Sequence, residues 1–231
     1  MKINYLILIS LLFLFTSCFE VREEIDLKND GSGTYQMILD MSKSKNMLDI
    51  AVKMAEADEK MQTIGNPFTD VDSAFVKGAQ SLNSMEGISN AKGTYDKQNY
   101  IFITKFDFKN IDALNDALNE LNKRKSPDLE SFPATFRLEK KTFERTNTFY
   151  MRELTNFSEQ VNGDEQKLAQ MQAILKTATY TSIIRITEGK IKKFSNEKAV
   201  LSNDKKELRL SANFKEISEG KISLANVLKI K

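Results

Sequence analysis

Apolar and polar residues alternate over two short segments near the beginning of the chain, 20–27 and 34–41. The apolar residues that share one side are Val21, Ile25 and Leu27 in the first segment and Tyr35, Met37, Leu39 and Met41 in the second. Between the segments, Asn29–Gly33 consists of Asn, Asp, Ser and two Gly, which are typical turn residues. The pattern predicts a β-hairpin with one buried face.

Apolar residues recur at helical spacing in four other segments. These are 45–62, 70–82, the residues that follow Asn110, and the residues that follow Asp164. In the first of them the apolar stripe consists of Met47, Ile50, Ala51, Met54, Ala57 and Met61. A methionine stripe is typical either of an adaptable binding groove or of core packing, and core packing is the prediction here.

Further strands are predicted between and after these helices. They cover 88–95, 100–108, 136–138, 142–154 and 180–187, a hairpin over 198–214, and a short segment over 222–230. Because strands and helices occur in groups rather than in strict alternation, the predicted class is α+β, with antiparallel β-hairpins or a sheet packed with three or four amphipathic helices. Residues 125–133 form the predicted seam within an otherwise single domain, 18–231.

One segment of the chain resembles another that lies 106 residues later. Ser89–Ile111 aligns without gaps on Ser195–Ile217, with six identities in 23 positions. Two hairpins built by the same local rules explain this similarity, and a duplicated strand–turn–strand unit is the alternative.

The first residues of the chain have the pattern of an export signal. Met1-Lys2 is basic, Ile3–Phe15 is an apolar run of 13 residues, and Thr16-Ser17 are small residues before Cys18. A helix needs about 20 apolar residues to span a bilayer, so the run has the length of a signal-peptide core instead. Residues 1–17 are therefore a predicted signal peptide.

Leu14-Phe15-Thr16-Ser17-Cys18 resembles the lipobox of bacterial lipoproteins, with Phe15 where that family usually has Leu. The resemblance implies cleavage before Cys18 and attachment of fatty acyl chains such as palmitate to this cysteine. Each buried methylene contributes about 0.8 kcal/mol, so two or three chains would hold the protein on a membrane. Phe19 follows the cysteine in place of Asp, which favours a lipoprotein of the cell outer membrane that faces the periplasm, with surface display as the alternative.

Residues 18–42 combine the cysteine, an alternating strand, Asp30-Gly31-Ser32-Gly33 and a return strand. This arrangement resembles the beginning of uncharacterised bacterial lipoproteins and, distantly, the LppM-like lipoprotein domain. The resemblance implies an envelope protein and transfers no catalytic residue.

The composition excludes several kinds of site. Charges nearly balance, 34 Lys and Arg against 32 Asp and Glu, which argues against a nucleic-acid binder. The chain has no histidine and one cysteine, so Ser-His-Asp triads and histidine-ligated zinc sites are absent. Asp26–Gly33 fails as a calcium loop, since Lys28 occupies a ligand position. Ser42 and Lys45 have the spacing of a serine–lysine catalytic pair without its partner motifs.

These observations predict a membrane-anchored envelope lipoprotein that is not an enzyme, and that serves as a binding or assembly module with an envelope protein or lipid as partner. No metal, cofactor or catalytic residue is predicted, and Cys18 is the one predicted site. The alternative is a histidine-free hydrolase or lyase that acts on envelope glycans through paired carboxylates.

Overall fold

The computed structural model describes residues 19–57, 69–123, 134–146 and 176–231. The predicted first hairpin is confirmed and consists of β1 (Glu20–Leu27) and β2 (Gly33–Asp40). The two strands pair antiparallel from Glu20 opposite Asp40 to Leu27 opposite Gly33. In the turn, Asp30 accepts hydrogen bonds from the backbone N–H and the hydroxyl of Ser32, and Gly31 has a φ of +85°. The turn residues therefore set the register of the hairpin.

Nine further strands follow in the described part of the chain. They are β3 (Ile88–Asp96), β4 (Ile101–Phe108), β5 (Phe136–Glu139), β6 (Thr142–Arg145), β7 (Thr179–Ile186), β8 (Ile191–Phe194), β9 (Val200–Leu201), β10 (Glu207–Asn213) and β11 (Asn226–Ile230). Seven strands form one sheet in the order β3-β4-β2-β1-β7-β10-β9, and four form a second sheet in the order β5-β6-β11-β8. β1 and β7 run parallel, whereas the other strand pairs are antiparallel.

The described helices are α1 (Lys45–Ala57), α2 (Thr69–Gln80), α3 (Ile111–Lys123) and the five-residue α4 (Phe214–Ser218). The backbone N–H of Ala113 donates to the Asn110 side chain, so Asn110 caps α3 as predicted. Asn115 is buried on α3, and its amide binds the backbone of Thr135 and Phe136 at the start of β5. These bonds fix α3 against the second sheet. No helix in the described ranges combines the length and the apolar character needed to cross a bilayer.

The predicted α+β class, with hairpins packed against three or four amphipathic helices, is wrong. The part of the chain that the structure describes is mostly β, with eleven strands in two sheets. The prediction treated each hairpin as a local unit, but residues distant in the chain join the hairpins into one large sheet. β1 pairs with β7, 159 residues later, and this parallel contact was also absent from the antiparallel prediction.

One face of the large sheet forms the core. A row of neighbouring strand positions across this face consists of Phe106, Tyr35, Ile25, Ile184 and Leu208, which are at most 3% exposed. α3 contributes Leu114 and Leu118, and the second sheet contributes Phe136 and Phe143. At about 25 cal/mol per Å² of apolar surface removed from water, this shared core supplies the main force that holds the two sheets together.

The other predicted elements are confirmed in part. The strands over 88–95, 100–108, 136–138 and 180–187, the hairpin over 198–214 and the final strand are present within a few residues of their predicted bounds. The strand predicted over 142–154 corresponds to β6 as far as Arg145. Its remainder, the loop at 125–133 and the helix after Asp164 lie outside the described residues.

Two features depart from the predicted elements. β8 was not predicted, because its four residues lack a clear alternation. Ile50, predicted as part of a core stripe on α1, is 60% exposed. For the methionines of that stripe, the side chains of Met47 and Met54 and the whole of Met61 lie outside what the structure describes.

The two similar segments occupy corresponding places in the large sheet. Residues 101–108 form β4, and the residues 106 positions later form β10, from Glu207 to Asn213. β3 and β4 form one edge of the sheet, and β9 and β10 form the opposite edge. Both strands place the matched apolar residues in the core.

Candidate functional site

A charged residue interrupts the buried face of β1. Glu23 points to the same side of the strand as Val21 and Ile25, and its side chain is 2% exposed. Its partner is Arg145 at the end of β6, also 2% exposed, whose Nε lies 2.9 Å from the Glu23 Oε2. This ion pair joins the two sheets through the middle of the core.

Three hydroxyl groups and one backbone carbonyl surround the ion pair. The hydroxyl of Tyr35 donates to Oε1 of Glu23 at 3.3 Å, and that of Ser182 donates to Oε2 at 3.5 Å. The guanidinium of Arg145 donates to the Tyr180 hydroxyl oxygen at 2.8 Å and to the backbone carbonyl of Thr146 at 2.9 Å. Both ions of the pair therefore have additional hydrogen-bond partners, as a buried charge requires.

The electrostatics of this cluster favour a fixed ion pair. Burial has the largest single effect and lowers the pKa of Arg145. The charge of Glu23 and the contacts with Glu23 and Tyr180 together outweigh burial, so the pKa lies above its ordinary value. Burial raises the pKa of the Tyr180 hydroxyl well above its usual range, so this group remains protonated. Because both side chains of the pair are enclosed in the core, the cluster is structural and has no access for a substrate.

The accessible candidate site is a cleft of about 470 Å³ at one end of the large sheet. It lies between the β1–β2 turn and the residues that flank β3 and β4. Its lining includes Lys28, Thr34, Ser89, Asp107, Phe108 and Lys109. With Ser32, which also lines it, the cleft combines two ammonium groups, three hydroxyl groups and one carboxylate, which is a polar binding surface.

Asp107 is held in a fixed orientation inside this cleft. The Thr34 hydroxyl donates to Oδ1 and the Asn90 amide donates to Oδ2, both at 2.7 Å. Desolvation raises the pKa of Asp107, but these two hydrogen bonds and the nearby Lys105 and Lys28 outweigh it, so its pKa lies below the usual value. Asp107 is thus a carboxylate that orders the wall, rather than a proton donor.

The wall is also shaped by an irregularity in β3. The pairing of β3 with β4 shifts between Ser89 and Lys92, and Asn90 adopts a φ of +54°. Asn83 fixes this bulge, since its amide accepts from the Ala91 N–H and donates to the Ala91 carbonyl. The bulge directs the Asn90 side chain toward Asp107, as β-bulges commonly do with functional side chains.

The position of the cleft relative to the chain start is fixed by β1. β1 begins at Glu20, two residues after Cys18, and ends at Leu27, next to the cleft. A strand rises about 3.3 Å per residue, so the two ends of β1 are about 23 Å apart. The cleft and the beginning of the described chain therefore lie at opposite ends of the sheet.

The sequence-predicted candidates have different outcomes. Cys18, the predicted lipidation site, lies outside the described residues. Asp26–Gly33 forms the end of β1, the turn and the first residue of β2. No group of three metal-ligating side chains occurs in the ranges that the structure describes. Lys45 is bound to Asp49 at 2.8 Å, so this contact occupies the ammonium group of the weak serine–lysine pattern.

The alternative enzyme hypothesis requires paired carboxylates. In the described part of the chain, Glu24, Asp26 and Glu207 lie close together because all three form ion pairs with Arg185, within 3.3 Å. Glu23 is the acid whose side chain is buried in that part of the chain, and it is paired with Arg145 rather than with a second acid. Sequence reasoning missed this pair, although Glu23 has the same phase as the apolar residues of β1. It also missed the cleft, because the lining residues come from four separate segments.

Comparisons with known proteins give a distant likeness to a solved structure. No family model matches the chain, and no curated protein matches it. A search of solved structures finds the folded domain of the LppM protein of Mycobacterium tuberculosis, with 10% sequence identity, a TM-score of 0.43, and coverage of 93% of this chain and 89% of that chain. At this similarity the match transfers neither an activity nor site residues.

Proposed function

We propose that this chain is an envelope lipoprotein, anchored through lipid on Cys18, whose domain is a non-enzymatic binding module that presents its cleft away from the membrane. The outer membrane, with the domain facing the periplasm, is the proposed location. The observation that carries the proposal is the placement of the two ends of β1. The strand starts two residues after Cys18, and it ends at the cleft.

Two further observations support binding rather than catalysis. The Asp107 carboxylate of the cleft wall is held by two hydrogen bonds. Its pKa is lowered rather than raised, which does not suit a general acid near neutral pH. The buried ion pair of Glu23 and Arg145 is closed to a ligand. A preformed polar cleft on a rigid sheet is a suitable surface for a polar group of a partner.

The test measures lipidation and orientation together. Because the sequence has one cysteine, which lipid would block, a cysteine introduced at Lys109 or at Gln98 is a unique site for a fluorescent label. Lys109 adjoins the cleft, and Gln98 lies in the β3–β4 turn at the opposite end of the sheet. On vesicles that carry an acceptor dye, we expect the label at position 98 to transfer more energy than the label at position 109.

Two control variants make this result decisive. Cys18→Ala removes the lipid, so this variant should not bind the vesicles, whereas Ser17→Ala keeps a small residue before the cysteine and should bind. Equal energy transfer from the two labels would contradict the orientation. Mass spectrometry that finds residues 1–17 retained, or an unmodified Cys18 thiol in the native protein, would contradict the anchor.

A further inference from the structure

Positive charge is concentrated in the last part of the chain. Residues 176–231 contain 13 of the 34 Lys and Arg residues but only 6 of the 32 Asp and Glu residues, which gives this part a net charge of +7 within a chain of net charge +2. The near balance of the whole sequence conceals this asymmetry. The fold decides whether the excess charge is spread over the molecule or gathered on one surface.

The fold gathers the lysines of four segments on one surface. Six of them, here called the lysine surface, are Lys141, Lys190, Lys193, Lys205, Lys206 and Lys229, and all are exposed. Lys193 and Lys229 are neighbours across β8 and β11. The Lys205 carbonyl accepts from the N–H of Ile191, and the Lys141 carbonyl accepts from the N–H of Ile230. These hydrogen bonds place the segments side by side.

The charges of the lysine surface are not neutralised by ion pairs between described residues. Two further exposed lysines, Lys140 and Lys192, adjoin it in sequence. Within two residues of these eight lysines in sequence, the described acids that form no ion pair are Glu139, Glu188 and Asp204, so among these residues the positive charges exceed the negative ones by five. By contrast, on the large sheet Arg185 lies within 3.3 Å of Glu24, Asp26 and Glu207.

The kind of residue indicates the kind of partner. The exposed basic residues that form the lysine surface are all lysines, whereas protein–protein interfaces are enriched in Tyr, Trp and Arg and depleted in Lys. Flexible ammonium groups that are spread over several segments suit a polymer with repeating anionic groups better than one small anion, because each ammonium group can contact a different anionic group and exchange it readily. The binding energy then comes largely from released counterions.

The place of the surface excludes the anchoring membrane as its natural partner. The backbone carbonyl of Lys206 accepts a hydrogen bond from the N–H of Ile186. Ile186 pairs with Leu27, which is the end of β1 that lies away from Cys18. We infer that the lysine surface binds a linear polyanion, which is a polymer with repeating carboxylates or phosphates. Binding takes place on the side of the domain away from the anchoring membrane, so the inference rests on the proposed lipid anchor and orientation.

The experiment measures polymer binding by the full lipidated protein on neutral vesicles. Poly-L-glutamate and inorganic polyphosphate are the probes, and their comparison distinguishes carboxylate from phosphate ligands. The surface variant is Lys190→Gln/Lys205→Gln/Lys206→Gln. The matched control, Lys43→Gln/Lys92→Gln/Lys105→Gln, removes the same charge from exposed lysines elsewhere. At low salt we expect the surface variant to bind the polymers roughly tenfold or more weakly than the wild type. The slope of log K against log salt concentration should become shallower by about two to three units.

The other results overturn the inference. Equal losses in both variants would show that net charge alone is responsible. Binding to anionic vesicles in preference to both polymers would show a membrane partner instead. If neither polymer binds and Lys192→Gln/Lys193→Gln only increases aggregation, these lysines protect the edge strand β8. The polymer measurement is repeated in detergent, without vesicles. If the proposed lipid anchor is wrong, the protein no longer binds vesicles but still binds the polymers, so the two proposals can fail separately.

Discussion

At the residue scale, Glu23 and Arg145 are charged residues at positions of the core that are otherwise apolar, and their ion pair connects the two sheets. Two charges in the core lose their hydration, and the cost is offset only while both partners and their hydrogen bonds are present. The pair joins β1 of the large sheet to β6 of the second sheet at a separation of 122 residues. Its role is therefore to fix the relative placement of the two sheets.

Removing one partner should be far more damaging than removing both. We expect Glu23→Gln to lower the free energy of unfolding by about 3 to 5 kcal/mol, because Arg145 remains buried without a counterion. Glu23→Leu/Arg145→Met should recover most of that loss. Urea denaturation measures both variants. Arg137→Met is the control, since its ion pair with Glu144 is exposed and should be worth about 1 kcal/mol or less. A double variant as unstable as the single one would contradict a specific pairing.

At the element scale, the sequence predicts strands well and their long-range partners poorly. Alternation from Glu20 to Leu27 and the turn chemistry of Asn29–Gly33 determine the first hairpin locally, and Asn110 marks the start of α3. The pairing of β1 with β7 depends on residues 159 positions apart, which no local pattern encodes. For the same reason the cleft could not be predicted, since its lining comes from separate turns and strand ends.

The bulge in β3 and the strands beside it depend on Asp107. We expect Asp107→Asn to destabilise the protein by about 0.5 to 1.5 kcal/mol near neutral pH, because the hydrogen bonds from Thr34 and Asn90 lose their charged acceptor. The pKa of Asp107 is lowered in the fold, so its contribution is present above the unfolded pKa of about 4 and disappears as the pH falls through the lower folded value.

Denaturant unfolding of the wild type and Asp107→Asn at several pH values measures this effect. The difference between the two proteins should be largest at neutral pH and should approach zero in acid. Asp112→Asn, at the first turn of α3, serves as the comparison at an exposed carboxylate. A difference for Asp107→Asn that is independent of pH would show that the carboxylate charge is unimportant to the bulge.

At the scale of the whole molecule, the large sheet is organised around its first strand. β1 lies between β2 and β7, and therefore pairs on one side with its chain neighbour and on the other with a strand from the last part of the chain. Non-local pairing of this kind forms late, after the cost of closing a long loop has been met. We expect the sheet to be completed only when residues 179–186 have joined β1.

Native-state hydrogen exchange tests this organisation. The amides that bond β1 to β7 should exchange only by global unfolding, because both strands are central and bury Ile25 and Ile184. Those of the edge strands β9 and β5 should exchange faster, through local opening. The difference should increase with stabilising salt, since global unfolding becomes rarer while edge opening changes less. If β1 exchanged as fast as β9, the first hairpin would be a separate unit attached to a core that forms without it.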